Sequence, residues 1–171
     1  MSDVSVISTP RLRLRNWRES DVLPFAKITT NPEVMKYIGM GGLWGVPQAT
    51  EVVTKRIKQG SERGYCMWAV ELIETGALIG HCGVQWLGDT GEIEIGWMLD
   101  RPHWGKGLAT EAAKAVLAYA MGDLGFKRIV AITHAENRAS SKIMEKIGMH
   151  YEKTIEWKGL EGILFYVIET L

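Results

Sequence analysis

The 171-residue sequence lacks a net charge, because twenty Lys and Arg stand against twenty Asp and Glu. No overall field therefore exists to hold nucleic acid or an anionic membrane, and an anionic ligand has to be bound locally. Long apolar runs are missing too. The start, MSDVSVISTPRLRLR, offers no signal-peptide core. The longest weakly polar stretch, over 77–88, is interrupted by His81 and Gln85 and falls short of the ~20 apolar residues a bilayer needs. A cytoplasmic protein with no membrane or nucleic-acid partner is expected. Cysteine is scarce: Cys66 and Cys82 cannot form a zinc site alone and read as free thiols in strands. His81, His103, His134 and His150 show no metal-ligand or Ser-His-Asp spacing, so no metal is expected. What remains, 46% hydrophobic and 23% charged residues, excludes a disordered tail and suits one globular core.

Periodicity orders the chain. RLRLR over 11–15 alternates as a half-buried strand does, and 19–36 suits short helices broken at Asn31-Pro32. A glycine-rich loop over 39–47 precedes a helix over 48–60. Strands over 65–73, 77–87 and 92–99, joined by short turns, predict an antiparallel meander. A helix over 106–121, a strand over 127–133, a helix over 139–147 closed by Gly148, and strands over 149–157 and 163–169 follow. The strand-helix-strand crossing between 92 and 133 demands a parallel pair inside this otherwise antiparallel sheet.

The most informative segment leaves the strand at Asp100-Arg101-Pro102 and passes through Trp104-Gly105-Lys106-Gly107-Leu108-Ala109 directly into a helix. Glycines let the backbone approach a ligand, and the first free N–H groups of a helix carry partial positive charge, which together suit a diphosphate. The P-loop GxxxxGK[ST] and the dinucleotide GxGxxG are both absent. Residues 101–153 hold nine basic against five acidic residues, which agrees with a local anion site. Asn137-Arg138-Ala139-Ser140 and Lys146-Ile147-Gly148-Met149 complete the pattern; Asn137 or Ser140 also serves as a helix cap and Gly148 as a helix end.

In TPRLRLRNW, NPEVMKYIG, EIGWMLDRPHWGKGLATEA and NRASSKIMEKIGM the chain resembles the GNAT superfamily of acyl-CoA-dependent N-acetyltransferases, in particular its ribosomal-protein alanine N-acetyltransferase branch. The resemblance implies one N-acetyltransferase domain over 1–171. Its fold would be mixed α/β (α+β), a central, mostly antiparallel sheet of six or seven strands flanked by helices. Acetyl-CoA would be co-substrate and lie in a cleft between two splayed parallel strands. In the family motif Q/R-x-x-G-x-G/A, Trp104 takes the first position, Gly107 the fourth and Ala109 the sixth; the tryptophan departs from the pattern while the backbone amides remain. By resemblance, the N–H groups of Gly105, Lys106, Gly107, Leu108, Ala109 and Thr110 hold the pyrophosphate. Met98 and Leu99 pair with the pantetheine arm, and Asn137 touches it near the thioester. Family members splay the strand over 92–99 from the next to admit the arm; Gly96 inside it fits a bulge or a merely weakened strand. A homodimer is compatible with the family.

Acetyl transfer from a thioester needs an unprotonated amine and a donor for the developing oxyanion. Deprotonating a lysine at pH 7 costs about 4–5 kcal/mol, an α-amine about 1 kcal/mol, so a weak base favours a protein N-terminus as acceptor. Where many relatives carry a tyrosine acid, this sequence has Met144. The resemblance then leaves Glu94 and Ser140 as catalytic candidates, with a solvated carboxylate and a helix cap as their structural alternatives. Trp44, beside Tyr37, is a candidate wall of the acceptor pocket, and His134 reads either as a surface histidine or as a neighbour of that pocket. A small amine such as a polyamine, amino acid or aminoglycoside is the alternative acceptor, and a non-catalytic acyl-CoA sensor the alternative class.

Overall fold

The computed structural model describes residues 5–170. The strands β1 (Ser5–Ser8), β2 (Leu12–Arg15), β3 (Met67–Leu72), β4 (Ala77–Trp86), β5 (Ile93–Leu99), β6 (Arg128–His134), β7 (His150–Trp157) and β8 (Leu160–Glu169) form one eight-stranded sheet, ordered β1-β2-β3-β4-β5-β6-β8-β7. All neighbours are antiparallel except β5 and β6. The helices are α1 (Val22–Thr29), α2 (Pro32–Met35), α3 (Val46–Arg63), α4 (Leu108–Gly122) and α5 (Arg138–Lys146). The mixed, mostly antiparallel sheet expected from the sequence is present, with one strand more than six or seven. The addition is β1, whose four residues are too few to display an alternation.

Element ends follow backbone chemistry. Asn31 Oδ1 accepts the Glu33 N–H at 3.0 Å and Pro32 opens α2, which is why the helical run over 19–36 breaks there. Helix α3 starts two residues earlier than expected, at Val46, because Pro47 fits the first turn, where a missing N–H loses nothing. Helix α4 starts two residues later than expected because Gly107 is left-handed, with φ 73°. Strand β8 begins at Leu160 because Lys158 and Gly159, both at positive φ (50° and 79°), close a tight hairpin after Trp157.

The bulge expected at Gly96 is absent. Pairing of β4 with β5 runs without a shift from Trp86 opposite Ile93 to Gly80 opposite Leu99. A Cβ there would lie 2.6 Å from the terminal methyl of Met67, which would have to swing aside. The irregularity near this edge sits between β3 and β4, at Val70 and Glu71. Cys82 is in β4, while Cys66 lies one residue before β3, so only one of the two thiols is in a strand. No helix among the described residues is long and apolar enough to cross a membrane.

Trp68, Phe25, Leu12, Leu14 and Met35 are fully buried, each contributing about 1.5–3 kcal/mol. A buried ion network ties β2, β3 and the turn before α1 together. Arg15 donates from Nη1 and Nη2 to Asp21 (both 2.9 Å) and from Nε to Glu71 (2.8 Å), and Arg13 donates to the other Glu71 oxygen at 2.6 Å. Burial opposes ionisation of Glu71, but the bonds from Arg15 and Arg13 outweigh it and hold the carboxyl below its usual range. Its contribution is therefore present at neutral pH and lost as pH falls through that lowered value. Arg15→Met should strip Asp21 of its bidentate Arg15 contact, leave Glu71 with Arg13 alone, and destabilise the protein by about 3–5 kcal/mol, measured by urea unfolding at pH 7. A loss under ~1 kcal/mol would mean that the network carries little of the fold's stability.

Candidate active site

Strands β5 and β6 share a single registered pair, Glu94 opposite Val130. Beyond it they diverge. Backbone direction alternates along a strand, and Asp100 N–H donates to Ile79 O of the β4 side at 2.7 Å, so the even-numbered residues of β5 face β4. A Cβ on Gly80 would lie 1.9 Å from Met98 O, which puts that carbonyl against β4 as well. Trp97 and Leu99 therefore turn their backbone groups to the open side. Of the two residues expected along an extended arm, Leu99 presents its N–H to the gap and Met98 does not; Trp97 is the neighbour that sequence reasoning passed over. The Leu99 carbonyl accepts from Trp104 Nε1 at 2.8 Å.

The loop between β5 and α4 turns on glycine. Gly105 and Gly107 have φ of 72° and 73°, a backbone that side chains rarely adopt, and a Cβ at Gly105 would meet nothing within 4 Å. The first intrahelical bond of α4 runs from Glu111 N–H to Gly107 O. The N–H groups of Leu108, Ala109 and Thr110 thus have no partner within the helix and point past its end. Lys106 is exposed. Arg11 braces the loop, donating to Lys106 O at 2.8 Å and pairing with Glu111 at 2.7 Å, with its guanidinium 3.6 Å from a Cβ built on Gly107. Trp104, the departure from the family motif, anchors the loop to the strand end through its indole N–H and stacks under Arg101 at 4.8 Å. Free N–H groups, open space and cations suit a diphosphate.

A cavity of about 1010 Å³ opens beside this edge. Glu94, Asn137 and Ser140 line it together, and so do Tyr37, Trp44 and His134. Asn137 caps α5, its Oδ1 accepting the Ser140 N–H at 3.3 Å, so the cap is Asn137 and the Ser140 hydroxyl is left to the cavity. Met144, one turn further along α5, is buried at the cavity wall. Glu94 accepts from Gln85 Nε2 at 2.7 Å. Burial pushes the Glu94 carboxyl above its usual range, against the opposing pull of Gln85 and Lys158. Such a carboxylate takes up a proton more readily than a solvated one. Glu92, two residues earlier, is instead engaged with Arg128 on β6 at 3.1 Å.

Gln85 escaped the sequence reading, although its polarity inside an apolar strand was visible. His81 shares that strand face, and Arg56 of α3 donates to His81 Nδ1 at 3.0 Å; both line the same cavity. Their signal was also present: Arg56 falls on the helix face of the buried Ala49 and Val53. Cys66 and Cys82 are free and buried; burial pushes Cys66 up to about 12 and Cys82 higher still, which removes both as nucleophiles at neutral pH.

Residues 11–150 match the acetyltransferase (GNAT) domain family. The chain is 38% identical over 160 residues to the uncharacterised protein YkkB of Bacillus subtilis, covering 91% of each chain. Among solved structures, a GNAT-family acetyltransferase from Bacillus anthracis superposes with a TM-score of 0.82 at 30% identity over 95% of this chain and 97% of its own. The ribosomal alpha-N-protein acetyltransferase RimL, solved in complex with coenzyme A, shares the fold at a TM-score of 0.82 and 17% identity over 97% of this chain and 98% of its own. With the motif loop, the parted strands and these matches in agreement, the chain belongs to the GNAT family of acetyltransferases.

Proposed function

We propose that this acetyltransferase moves an acetyl group from acetyl-CoA to an α-amine, a protein or peptide N-terminus being the preferred acceptor, with Glu94 as base. One observation carries the reading: a carboxylate of raised proton affinity, held by Gln85, lines the same cavity as Asn137 and Ser140 beside the unpaired edge of β5. The coenzyme complex of RimL, which shares the fold, supports the choice of acyl donor.

In this reading the amides of Gly105 to Thr110 cradle the diphosphate and the open edge at Trp97 and Leu99 pairs with the pantetheine amides, as an added strand pairs with a sheet edge. Glu94, directly or through a water, accepts the proton of the amine. The nitrogen lone pair then attacks the thioester carbonyl carbon, and the oxyanion that develops meets a β5 N–H on the open side. As the C–N bond forms the C–S bond breaks. The departing thiolate, with an ordinary thiol pKa of ~8.5, is held by a hydrogen bond from the Ser140 hydroxyl and, by way of solvent, takes up the second proton that the nitrogen sheds as the amide forms. A weak base suffices for an α-amine, whose deprotonation at pH 7 costs about 1 kcal/mol.

Release of CoA thiol from acetyl-CoA with free-amine peptides, polyamines and aminoglycosides as acceptors, beside an acceptor-free control, tests the assignment. Thiol release with the peptides is expected; acetyl-CoA binding with no release on any acceptor would identify a sensor instead.

Glu94→Gln should lower turnover roughly 10²–10⁴-fold while the dissociation constant for acetyl-CoA stays unchanged. Because the native carboxyl holds its proton more tightly than the unfolded one, its stabilising effect is complete at low pH and lost as pH rises through the raised value. The variant should therefore melt no earlier than the parent at pH 8, and a lower melting point would reveal a structural role. Gly107→Val puts a branched side chain at φ 73° beside the free amides and should weaken acetyl-CoA binding roughly tenfold to hundredfold in calorimetry. Unchanged affinity in a folded variant would move the diphosphate elsewhere.

A further inference from the structure

Arg56 is only 8% exposed, and among the described residues it has no carboxylate partner. Its environment is unusual for a buried cation. Trp17 and Phe25 lie under the guanidinium at 5.1 and 5.4 Å, and among the described residues its one hydrogen-bond partner is His81 Nδ1 at 3.0 Å. Burial pulls Arg56 down to about 10, which leaves it charged at pH 7, while burial and the neighbouring guanidinium hold His81 well below its usual range and therefore neutral. A neutral imidazole that accepts at Nδ1 carries its hydrogen on Nε2. Both side chains line the cavity that Glu94 lines. A buried ion without a counter-ion is costly in a fold that meets the same need elsewhere, at Arg15, with two carboxylates.

The rest of the wall has the same sign. Lys55, Arg63 and Lys158 join Arg56 on the lining, against Asp89 and Glu94. That balance repels a polyamine and attracts an anion. Distance adds a second constraint. His81 and Gln85 are four residues apart on one face of β4, a separation of ~13 Å, and Gln85 holds Glu94. An amine at Glu94 and an anion at Arg56 are therefore ~7–13 Å apart after each end gives up a hydrogen-bond length. A free α-amino acid is too short to touch both, whereas two to four extended residues at ~3.3–3.6 Å each span the gap.

We propose that Arg56, oriented by His81, is the receptor for a carboxylate of the acceptor, which makes the substrate an α-amine that carries a carboxylate two to four residues away. The carboxylate is either the C-terminus of a short peptide or the side chain of an acidic residue close behind a longer chain's N-terminus. The assignment rests on Glu94 marking the amine end.

Three peptides with one free α-amine test it by thiol release from acetyl-CoA: trialanine, its C-terminal amide, and an amidated peptide with glutamate third. The parent protein should show a kcat/KM at least about tenfold higher for one or both carboxylate peptides than for the neutral amide, chiefly through KM, and which of the two responds names the source. Arg56→Gln should abolish this preference and leave acetyl-CoA affinity unchanged; Arg56→Lys, which keeps the charge, should restore part of it. Equal kcat/KM for the carboxylate and amide forms in the parent overturns the proposal without any variant. Should no peptide release thiol, the amine assignment at Glu94 fails, and calorimetry of the N-acetylated peptides decides the anion site alone. Tighter binding of the carboxylate forms that depends on Arg56 sustains it, and equal binding overturns it.

Discussion

Strands β5 and β6 meet at a single registered pair, Glu94 opposite Val130, and the functional geometry depends on the gap that opens beyond it. A parallel sheet interior normally satisfies every backbone group, and each buried one left unpaired costs about 1–3 kcal/mol. The gap therefore creates a standing demand for amide partners at Trp97 and Leu99. The same divergence leaves the end of β5 free to run into the glycine loop and aims the N-terminus of α4 past the strand end. Loop, edge and cavity are three consequences of one broken pairing. Continuous β4–β5 pairing keeps the edge rigid, and the terminal methyl of Met67 packs against Gly96.

Charge burial divides the molecule into a structural and a functional half. Arg15 is compensated by Asp21 and Glu71 within 2.9 Å, so its cost of leaving water is offset inside the protein and its role ends with the fold. Arg56 is buried and Glu94 half-buried, each with a neutral partner, a histidine and a glutamine. Neither partner cancels the charge. Both residues face the cavity, so the field they generate is available to what enters it. In the mechanism proposed above, Glu94 is the proton acceptor and Arg56 the grip on the substrate.

Much of this was legible in the residues. The alternation of RLRLR marked a strand, the helical crossover forced a parallel pair, and the glycine loop opening a helix pointed to the end proposed for the phosphates. Short-range signals failed where tertiary packing decided the matter: Gly96 looked like a bulge but sits in unshifted pairing with β4, and the four residues of β1 are too few to show a period. Met98 and Trp97 could not be told apart, because which way a strand's amides point depends on the register with its neighbour. Gln85, His81 and Arg56 stood out as polar residues on apolar faces. Only the fold brings them together, since their partners are 9 and 25 residues distant in the chain.

Amide hydrogen exchange with and without saturating CoA tests whether the parted edge of β5 and the α4 N-terminus together receive the coenzyme. Slowed exchange is expected at Trp97, Leu99 and Leu108 to Thr110, with Met98 unchanged because its backbone already faces β4. Exchange at Trp97 and Leu99 that is unaltered in a CoA-saturated sample would contradict that placement of the coenzyme.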